Sequence, residues 1–258
     1  MILHHRNGLA YFEYSSLKKF PEIRHAVFTR HSGHSPKPFD SLNSSFSVGD
    51  DAQCVRKNRD AIRKCLKAEE LVFTRQVHGA DVQVIESSRR RGGDGTGPGP
   101  PVEGDALVTR LKQTFLVIQV ADCQAIFLYD PHRRVVANIH AGWRSSIRNI
   151  VGRTIDVMRE RFAVDPRDLT AAIGPSLGPC CAEFIHYRQE IPPSYWGYRL
   201  AENRFDFWSI SRDQLQAAGV PEENVVTSDL CTRCHPQYFY SYRGEKTTGR
   251  FAAVIGMV

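Results

Sequence analysis

Nine short apolar runs, rich in β-branched and aromatic residues and separated by turn-forming residues, are the feature that most constrains the fold. Runs of this length and composition are typical of β-strands. They are His25 to Arg30, Val82 to Glu86, Ala106 to Thr109, Phe115 to Val120, Ala125 to Tyr129, Arg134 to His140, Leu169 to Ile173, Asn224 to Thr227 and Phe251 to Val258. The sequence therefore predicts a fold dominated by short strands.

Three segments carry helix signals. Between Ser145 and Phe162, apolar residues recur at steps of three and four, which predicts one amphipathic helix. A second helix is expected over Gln53 to Leu66, and a third over Ser209 to Ala218, where the following Gly219 and Pro221 stop it. Helices added to a predominantly stranded chain indicate the α/β class.

The length of 258 residues would suit one large domain or two small ones, and the even spread of apolar runs favours a single domain over residues 1–258. Residues 87–104 differ from the rest, because arginines are followed there by a cluster of glycine and proline. Such a segment cannot build a core element. We expect it to form an exposed, flexible loop.

Charge and hydropathy narrow the range of partners. The 34 Lys and Arg outnumber the 28 Asp and Glu, and the net charge of +6 suits anionic or phosphorylated ligands. Because the basic residues are spread along the chain, we predict no nucleic-acid binding. The apolar stretch from Phe115 to Ala121 is far shorter than the roughly 20 residues of a membrane helix. With no signal-like N-terminus, we expect a cytoplasmic protein that does not bind membranes.

His78, Cys123 and His140 each stand near the end of an expected strand, where their side chains can converge. Zinc favours imidazole and thiolate ligands, and a site with three protein ligands keeps its fourth position open. Zinc in such a site lowers the pKa of bound water to about 7, which makes hydrolysis or deamination feasible. The alternative is that the histidines are ordinary polar strand ends and the cysteine a buried small side chain.

Copper is a second candidate metal, because two histidines, one cysteine and a weak axial methionine describe a blue-copper centre. The methionines argue against it, since Met1, Met158 and Met257 are the only ones and Met158 belongs to the apolar stripe of a predicted helix. A multicopper oxidase would also need many paired histidines, and the chain has no His-x-His. We therefore favour zinc and do not expect electron transfer.

The seven cysteines are an odd number, which makes a disulfide framework the weaker interpretation. Cys231-Thr232-Arg233-Cys234-His235 matches the CxxCH pattern of haem attachment, but a cytoplasmic location argues against haem. Half of a structural zinc site would need a partner pair, for which Cys180-Cys181 is the candidate. Because adjacent cysteines rarely chelate together, we favour packed thiols over a redox-sensitive pair or a second metal site.

Ordered sequence blocks lie along nearly the whole chain. They are Phe28-Thr29-Arg30, Ser41-Leu42-Asn43, Val48-Gly49-Asp50-Asp51, Asn58-Arg59, Gln76-Val77-His78-Gly79, Glu103-Gly104-Asp105-Ala106-Leu107-Val108-Thr109, Ala121-Asp122-Cys123, His140-Ala141-Gly142-Trp143-Arg144, Ile173-Gly174-Pro175-Ser176-Leu177-Gly178-Pro179-Cys180-Cys181, Cys231-Thr232 and Phe239 to Arg250. Together these blocks resemble the YfiH family, also called the laccase-domain or polyphenol oxidoreductase family and later linked to purine nucleoside phosphorylase activity.

The resemblance implies one α/β domain with a mixed β core between helices. It implies that His78, Cys123 and His140 are zinc ligands and catalytic residues. It further implies phosphorolysis of adenosine, inosine and methylthioadenosine to the free base and sugar 1-phosphate, with adenosine deamination as a second activity. Purine nucleosides and phosphate are then the expected small-molecule partners.

Matched blocks also contain candidate substrate residues. Arg59 and Arg144 could pair with phosphate, and Asn43 could bond ribose or phosphate, although arginines are more often solvated or ion-paired. Zinc deaminases use a glutamate as proton shuttle, and none accompanies His78 here. Asp122 is a candidate for that task or for orienting a ligand. Trp143 is expected to pack rather than to stack on a base.

The chain departs from the family pattern in the flanks of two ligands. Gln124-Ala125 stands where an aliphatic residue and proline are expected, and Ser145-Ser146 stands where glycine or lysine is expected. The Gly/Pro-rich insertion from Gly92 to Pro101 is also longer than usual. Because these residues flank the ligands without replacing them, the prediction of metal binding is unchanged. The substitutions could change the preferred substrate, and the longer insertion could change access to the site.

Three functions therefore compete. The first is a zinc-dependent purine nucleoside phosphorylase with adenosine deaminase activity, acting as a monomer or weak homodimer. The second is a copper-dependent polyphenol oxidase, and imidazole and thiolate ligands do bind copper more tightly than zinc when both are available. The third is a zinc-binding protein without catalysis.

Overall fold

The computed structural model of the protein describes residues 1–87 and 102–258. Within these residues, twelve strands form two six-stranded sheets. The strands are β1 (Ile2–Arg6), β2 (Leu9–Glu13), β3 (Ile23–Phe28), β4 (Glu70–Phe73), β5 (Val82–Ile85), β6 (Ala106–Thr109), β7 (Thr114–Val120), β8 (Gln124–Asp130), β9 (Val135–Ala141), β10 (Thr170–Ile173), β11 (Val225–Thr227) and β12 (Phe251–Met257).

Both sheets mix parallel and antiparallel neighbours. The first has the order β1-β2-β3-β12-β7-β4, in which only β4 and β7 run parallel. The second has the order β11-β10-β8-β9-β6-β5, with parallel pairs at its two edges. The consecutive strands β7, β8 and β9 divide between the two sheets, so the turn joining β7 to β8 crosses from one sheet to the other.

Seven α-helices complete the described chain. They are α1 (Ser15–Lys18), α2 (Ala52–Leu66), α3 (Trp143–Ile147), α4 (Ile150–Phe162), α5 (Tyr187–Glu190), α6 (Phe207–Ala217) and α7 (Tyr242–Glu245). Short 3-10 helices cover Phe46–Val48, Pro166–Asp168, Pro193–Tyr198, Ala201–Asn203 and Glu222–Asn224.

Alternation along the strands explains how these elements stack. In β7, Leu116 and Ile118 face a cluster that also contains side chains of the second sheet, whereas Phe115 and Val117 face a cluster with α2. Because successive strand residues point to opposite faces, one strand can serve two layers. A third cluster packs α4 and α6 on the second sheet. The expected α/β class is confirmed, with two mixed sheets rather than one between the flanking helices.

The nine predicted strands all form, with bounds that shift by two residues at most. The sequence analysis missed β1, β2 and β4. For the first two a signal was present, since Asn7 and Gly8 both have positive φ, 51° and 80°, and join the strands as a two-residue hairpin. Asn-Gly is the sequence most favoured in such turns.

The single helix predicted over Ser145 to Phe162 is wrong, because the structure has two helices, α3 and α4, with a break between them. At the break, Asn149 adopts a left-handed conformation with a φ of 55°, and its side chain accepts a hydrogen bond from the Gly152 N–H. Asparagine tolerates this conformation and caps a new helix. The other two helices form as α2 and α6, within two residues of their predicted bounds.

Residues 88–101, which make up most of the predicted flexible loop, lie outside the described residues. The last residues of the predicted loop, Glu103 and Gly104, are described and bond to the segment that follows β4. Arg75 pairs with Glu103 as a parallel β-bridge, and the Gly104 N–H donates to the Arg75 carbonyl at 3.2 Å.

Candidate metal centre and substrate cleft

The structure brings His78, Cys123 and His140 together. His78 follows β4, Cys123 lies in the turn between β7 and β8, and His140 belongs to β9. One donor atom of each lies within 4.8 Å of the others, and the Cys123 Sγ is 3.7 Å from the His78 Nε2. His140 is buried while His78 is exposed, so the group is open to solvent on the His78 side.

Asp105 anchors both histidines, and sequence reasoning did not single it out. It is fully buried, and its Oδ1 accepts hydrogen bonds from the His78 backbone N–H at 2.9 Å and the His140 Nδ1 at 2.8 Å. Its Oδ2 accepts from the Gly79 N–H at 2.7 Å. Burial raises the pKa of the Asp105 carboxyl, but His140 and these N–H groups outweigh it and hold the pKa below its usual value.

An ionised Asp105 accepts hydrogen bonds and donates none, so the His140 Nδ1 must carry its proton. That tautomer leaves the His140 Nε2 as the ring atom for a metal or a proton. Carboxylates behind metal-binding histidines fix tautomer and ring orientation in the same way. Glu103-Gly104-Asp105 was visible in the sequence, but nothing local indicated that Asp105 lies behind His140.

Cys123 and His140 shift each other's ionisation. Burial raises the pKa of the Cys123 thiol, but the charge and hydrogen bond of His140, together with His78, lower it to about 6. Burial lowers the pKa of His140, while Cys123 and Asp105 raise it to about 9. These shifts favour the thiolate of Cys123, which is the form of sulfur that binds metals.

The spacing fits a zinc ion. A tetrahedral site with usual zinc–sulfur and zinc–nitrogen bonds separates sulfur from nitrogen by about 3.6 Å, and the observed distance from the Cys123 Sγ to the His78 Nε2 is 3.7 Å. The three side chains supply one thiolate and two imidazoles, which leaves one tetrahedral position for a ligand. His78, Cys123 and His140 could therefore hold a metal.

Gly142 makes room for this group. A Cβ at this position would lie 2.8 Å from the His78 Cδ2 and 3.1 Å from the Cys123 Sγ. The glycine has an ordinary φ of −76°, so space and not backbone conformation requires it. Its position directly before α3 explains how the chain leaves β9 without covering the two side chains.

Asp122 orients the turn that carries Cys123. Its Oδ1 accepts from the hydroxyls of Thr232 and Ser241, both at 2.7 Å, and its Oδ2 accepts from the Arg243 N–H at 2.5 Å. Asp122 itself has a φ of 90°, a conformation that these bonds stabilise. Of its two candidate tasks, proton shuttle and orienter, the geometry supports the second, because its carboxylate is already used by three donors.

A cleft of about 1510 Å³ opens beside the three candidate ligands. Its wall combines apolar and aromatic side chains with cationic ones. The cationic residues that line it are Arg59, Arg75, Arg144, Arg243, Lys246 and Arg250. A cleft next to a metal-binding group, with several positive charges, can take an anionic or phosphorylated ligand.

Two of the three predicted substrate residues line this cleft. Arg59 is held between two rings, with its guanidinium carbon 4.3 Å from the Phe46 centroid and 3.6 Å from the Phe73 centroid, and its Nε donates to the Ser44 carbonyl. Arg144 is exposed and lies over the Trp143 ring at 4.2 Å. Both therefore present guanidinium groups at the cleft wall.

Asn43, the third predicted substrate residue, does not line the cleft. It is fully buried, and its Nδ2 donates to the Ser45 carbonyl and to Asp50. Its Oδ1 accepts from the N–H groups of Ser45 and Arg250. An asparagine amide has two donors and two acceptor positions. All four are used, so Asn43 shapes the loops around the cleft instead of contacting a ligand there.

Arg250 is a cleft residue that sequence reasoning named only within a longer block. Its Nη1 donates to the carbonyls of Thr248 and Gly249, both at 2.9 Å. Burial lowers the pKa of its guanidinium, and the charges of Cys123 and Asp122 partly offset that effect. Arg250 therefore lines the same cleft as the candidate ligands.

Trp143 packs as predicted. Its ring meets the Phe184 ring edge-on at 5.9 Å, and it adjoins the cluster of Tyr187, Phe205 and Phe207. Gln124, one of the departures from the expected pattern, is also structural. Its side chain donates to the Phe207 carbonyl at 2.8 Å and accepts from the Ser211 hydroxyl at 2.5 Å, which ties α6 to the strand after Cys123.

Comparison with known proteins decides the family. The profile of the family described as multi-copper polyphenol oxidoreductase laccase matches residues 24–258. The chain belongs to this family. It is 36% identical over 242 residues to purine nucleoside phosphorylase YlmD of Geobacillus stearothermophilus, and the match covers 88% of each chain. It is 32% identical over 248 residues to a purine nucleoside phosphorylase of Bacteroides thetaiotaomicron, covering 89% of each.

Solved structures of the family have the same fold. The crystal structure of YlmD from Geobacillus stearothermophilus matches with a TM-score of 0.87 and 32% identity, covering 98% of this chain and 97% of that one. The crystal structure of the Bacillus licheniformis hypothetical protein YfiH also matches with a TM-score of 0.87, at 28% identity, covering 97% and 96%. The predicted resemblance to the YfiH family is confirmed.

The names of the related proteins indicate an enzyme that acts on purine nucleosides in those relatives. Family members at 29–36% identity are named purine nucleoside phosphorylases, although the family description names an oxidoreductase. Among residues 1–87 and 102–258, no helix has the length and apolar character that crossing a membrane requires.

Proposed function

We propose that the protein is a zinc-dependent purine nucleoside phosphorylase. The observation that carries the proposal is the convergence of His78, Cys123 and His140 at the edge of a cationic cleft, in a chain whose relatives are named for this activity. Adenosine, inosine and methylthioadenosine are the proposed substrates. The products are the free purine and the sugar 1-phosphate.

The reaction breaks the glycosidic C–N bond, forms a bond between a phosphate oxygen and the sugar C1′, and leaves the departing base with an added proton. Phosphate must therefore be held close to the sugar with its charge balanced. Arg59, Arg144 and Arg250 supply guanidinium groups at the cleft wall for that purpose. Arginine suits phosphate because its planar fork can donate two parallel hydrogen bonds.

His78, Cys123 and His140 would hold the zinc ion, which when bound supplies a Lewis acid for the substrate. Asp105 holds the His140 ring by its Nδ1 and so directs the Nε2 to the same point as the Cys123 sulfur. Gly142 keeps the space beside these atoms clear. The Phe73 and Phe46 rings hold the Arg59 guanidinium, which reduces the entropy lost when it binds phosphate.

Adenosine deamination belongs to the proposal as a second activity of the same site. It replaces the exocyclic amine with a water oxygen and releases ammonia, and it requires a proton carrier. Asp105 contacts the candidate ligands but is committed to the His140 Nδ1 and to backbone N–H groups. Glu183 and Glu190 are among the carboxylates that line the cleft, and we propose them as candidates for that task.

A copper-dependent phenol oxidase is the second candidate, and the description of the matching family favours it. The donor groups argue against it. In the described part of the chain, residues that could hold a metal form two groups, one with two histidines and the other with cysteines alone. A multicopper oxidase needs further paired histidines for its copper cluster. A zinc-binding protein without catalysis is the remaining alternative.

The test is incubation of metal-analysed protein with adenosine, with and without phosphate, followed by separation of the products. We expect adenine and ribose 1-phosphate only when phosphate is present, and their loss in Cys123→Ala. Cys54→Ala is the matched control, because Cys54 lies on α2 outside the cleft. Inosine formed without phosphate would show deamination.

An absence of any purine product from zinc-loaded protein would refute the proposal. Oxygen uptake with phenols that requires Cys123 would then support the oxidase. Zinc binding with neither activity would support the non-catalytic alternative.

A further inference from the structure

A second group of potential metal ligands lies outside the site described above. Cys180, Cys181, Cys231 and Cys234 place their sulfur atoms within 4.8 Å of one another, and we call them the four-cysteine cluster. The first two follow β10 and the last two follow β11, about fifty residues further along the chain. Sequence reasoning had favoured separately packed thiols, yet Cys180 and Cys234 are exposed and the four side chains meet.

The spacing of the sulfur atoms is that of a tetrathiolate site. The Cys234 Sγ is 3.7 Å from the Cys180 Sγ and 3.6 Å from the Cys181 Sγ. Four thiolates around zinc at usual bond lengths stand about 3.8 Å apart, whereas the sulfurs of a disulfide are about 2.05 Å apart. The distances between these sulfur atoms are therefore those expected for ligands of one ion, and the Cys234 sulfur is about equally close to those of Cys180 and Cys181.

The backbone is built to bring these two segments together. Ser176 and Cys231 form a parallel bridge, and the Thr232 N–H donates to the Ser176 carbonyl at 3.0 Å. Gly178 permits the close approach, since a Cβ there would lie 2.9 Å from the Trp208 ring and 3.1 Å from the Cys231 Cβ. The approach therefore depends on main-chain contacts that exist independently of the thiols.

The turn from Cys231 to Cys234 also supports a bound thiolate. The Cys231 sulfur accepts hydrogen bonds from the backbone N–H groups of Gly178 and Cys234. The Arg204 side chain donates to the Cys180 carbonyl at 3.2 Å, and its guanidinium is also ion-paired with Glu202.

We propose that Cys180, Cys181, Cys231 and Cys234 bind one structural zinc ion. Zinc sites with four protein ligands leave no position for substrate and contribute to folding instead. This site would fasten two walls of the neighbouring cleft. Ala182, Glu183 and Phe184, directly after the first pair, line the cleft, and Thr232 within the second pair bonds Asp122.

Metal content per chain tests the proposal without reference to activity. Protein purified under reducing conditions without added metal chelator is analysed for zinc, with Cys234→Ser and Cys181→Ser as variants and Cys54→Ser as matched control. We expect each cluster variant to contain one zinc fewer per chain than wild type, and the control to contain the same amount. Folded cluster variants with unchanged zinc content would overturn the proposal.

The same measurement in a Cys123→Ala background separates this site from the His78, Cys123 and His140 group. The Cys123→Ala variant should retain one zinc, and Cys123→Ala with Cys234→Ser should retain none. Cobalt bound to Cys123→Ala should show the intense sulfur-to-metal absorption of a tetrathiolate. Loss of all zinc from Cys123→Ala alone would overturn the four-cysteine site whether or not the phosphorylase proposal holds.

A measurement on wild type covers the case in which the variants fail to fold. Cys180 and Cys234 are exposed, so free thiols there should be alkylated rapidly by iodoacetamide. Zinc-containing protein should protect both until a strong chelator is added, as peptide mass spectrometry reports. Rapid alkylation before chelation, or a disulfide between cluster cysteines in the reduced preparation, would contradict zinc binding.

Discussion

Two groups of potential metal ligands differ in almost every respect. His78, Cys123 and His140 form a group of three that mixes imidazole with thiolate, opens into the cleft and is backed by a buried carboxylate. The four-cysteine cluster consists of cysteines alone, lies partly at the surface and is backed by main-chain contacts.

The number of protein ligands distinguishes a catalytic metal site from a structural one. Three protein ligands leave a coordination position for substrate, whereas four close the coordination shell. The surroundings agree with this division. The buried carboxylate of Asp105 orients the His140 imidazole, and Gly142 leaves space beside the candidate ligands. Around the four-cysteine cluster, the interactions join two chain segments instead.

The largest expected effect comes from Cys123→Ala, which removes a ligand from the open group. Loss of interactions behind a metal ligand costs about 10- to 100-fold in metal affinity or activity, so loss of the ligand itself should cost more than about 100-fold in kcat/KM. The zinc of the four-cysteine cluster and the thermal melting temperature should change little. Phosphorolysis assays, metal analysis and calorimetry check this.

Asp105→Asn should come next, because an amide cannot replace a carboxylate that fixes the protonated Nδ1 of His140. We expect zinc affinity and kcat/KM to fall by about 10- to 100-fold. Competition with a chelator gives the affinity. Asp130→Asn, another fully buried aspartate outside the cleft, controls for the general cost of removing a buried charge. Equal zinc affinity in wild type and Asp105→Asn would contradict the orienting role.

Gly142→Ala adds one methyl group beside the ligands, 2.8 Å from the His78 ring. Because the backbone conformation suits alanine, the expected loss of about tenfold in zinc affinity comes from crowding alone. Gly197→Ala is the matched control, since a Cβ there meets nothing within 4 Å. A variant that binds zinc as wild type does would show that the ligand group can shift.

Arg144→Ala tests the cationic wall. Removing a hydrogen bond to a charged group costs about 1.5 kcal/mol or more, so the KM for phosphate should rise about tenfold while the KM for the nucleoside changes less. Arg148→Ala, an exposed arginine outside the cleft, should leave both unchanged. Initial-rate measurements at varied phosphate and varied nucleoside concentrations give the two KM values separately. An equal rise in both KM values would argue against a phosphate contact.

Cys181→Ser should have the smallest effect on activity and a clear effect on stability. Losing a structural zinc should lower Tm by several degrees, since about 1 kcal/mol shifts Tm by about 2–4 °C for a domain of this size. The kcat should stay within about twofold, and KM should rise modestly as the cleft wall loosens. Calorimetry and kinetics on one preparation compare this variant directly with Cys123→Ala.

Part of the fold and site could be read from the sequence because the signals are local. Runs rich in β-branched and aromatic residues predicted nine of the twelve described strands, and His140 and Cys123 lie at or beside the ends of these strands. His78 follows β4, a strand that was missed. The helices α2 and α6 were also predicted, with Gly219 and Pro221 as the signal for the end of α6. Asn7-Gly8 and Asn149 also carried local signals, for a hairpin and for a helix break. The break at Asn149 was missed because Ile147 and Ile150 keep the three-residue step of the apolar pattern across it.

Other features exist only in the folded chain. Asp105 reaches His140 because β6 pairs with β9 in one register, and Asn43 is buried by loops from distant segments. The four-cysteine cluster unites pairs that the sequence keeps apart. The sequence by itself determined nine of the twelve described strands, the family and the three candidate ligands, since period and motif depend on near neighbours. Tertiary structure alone decided which charges face one another, because strand register and loop packing set distances between remote residues.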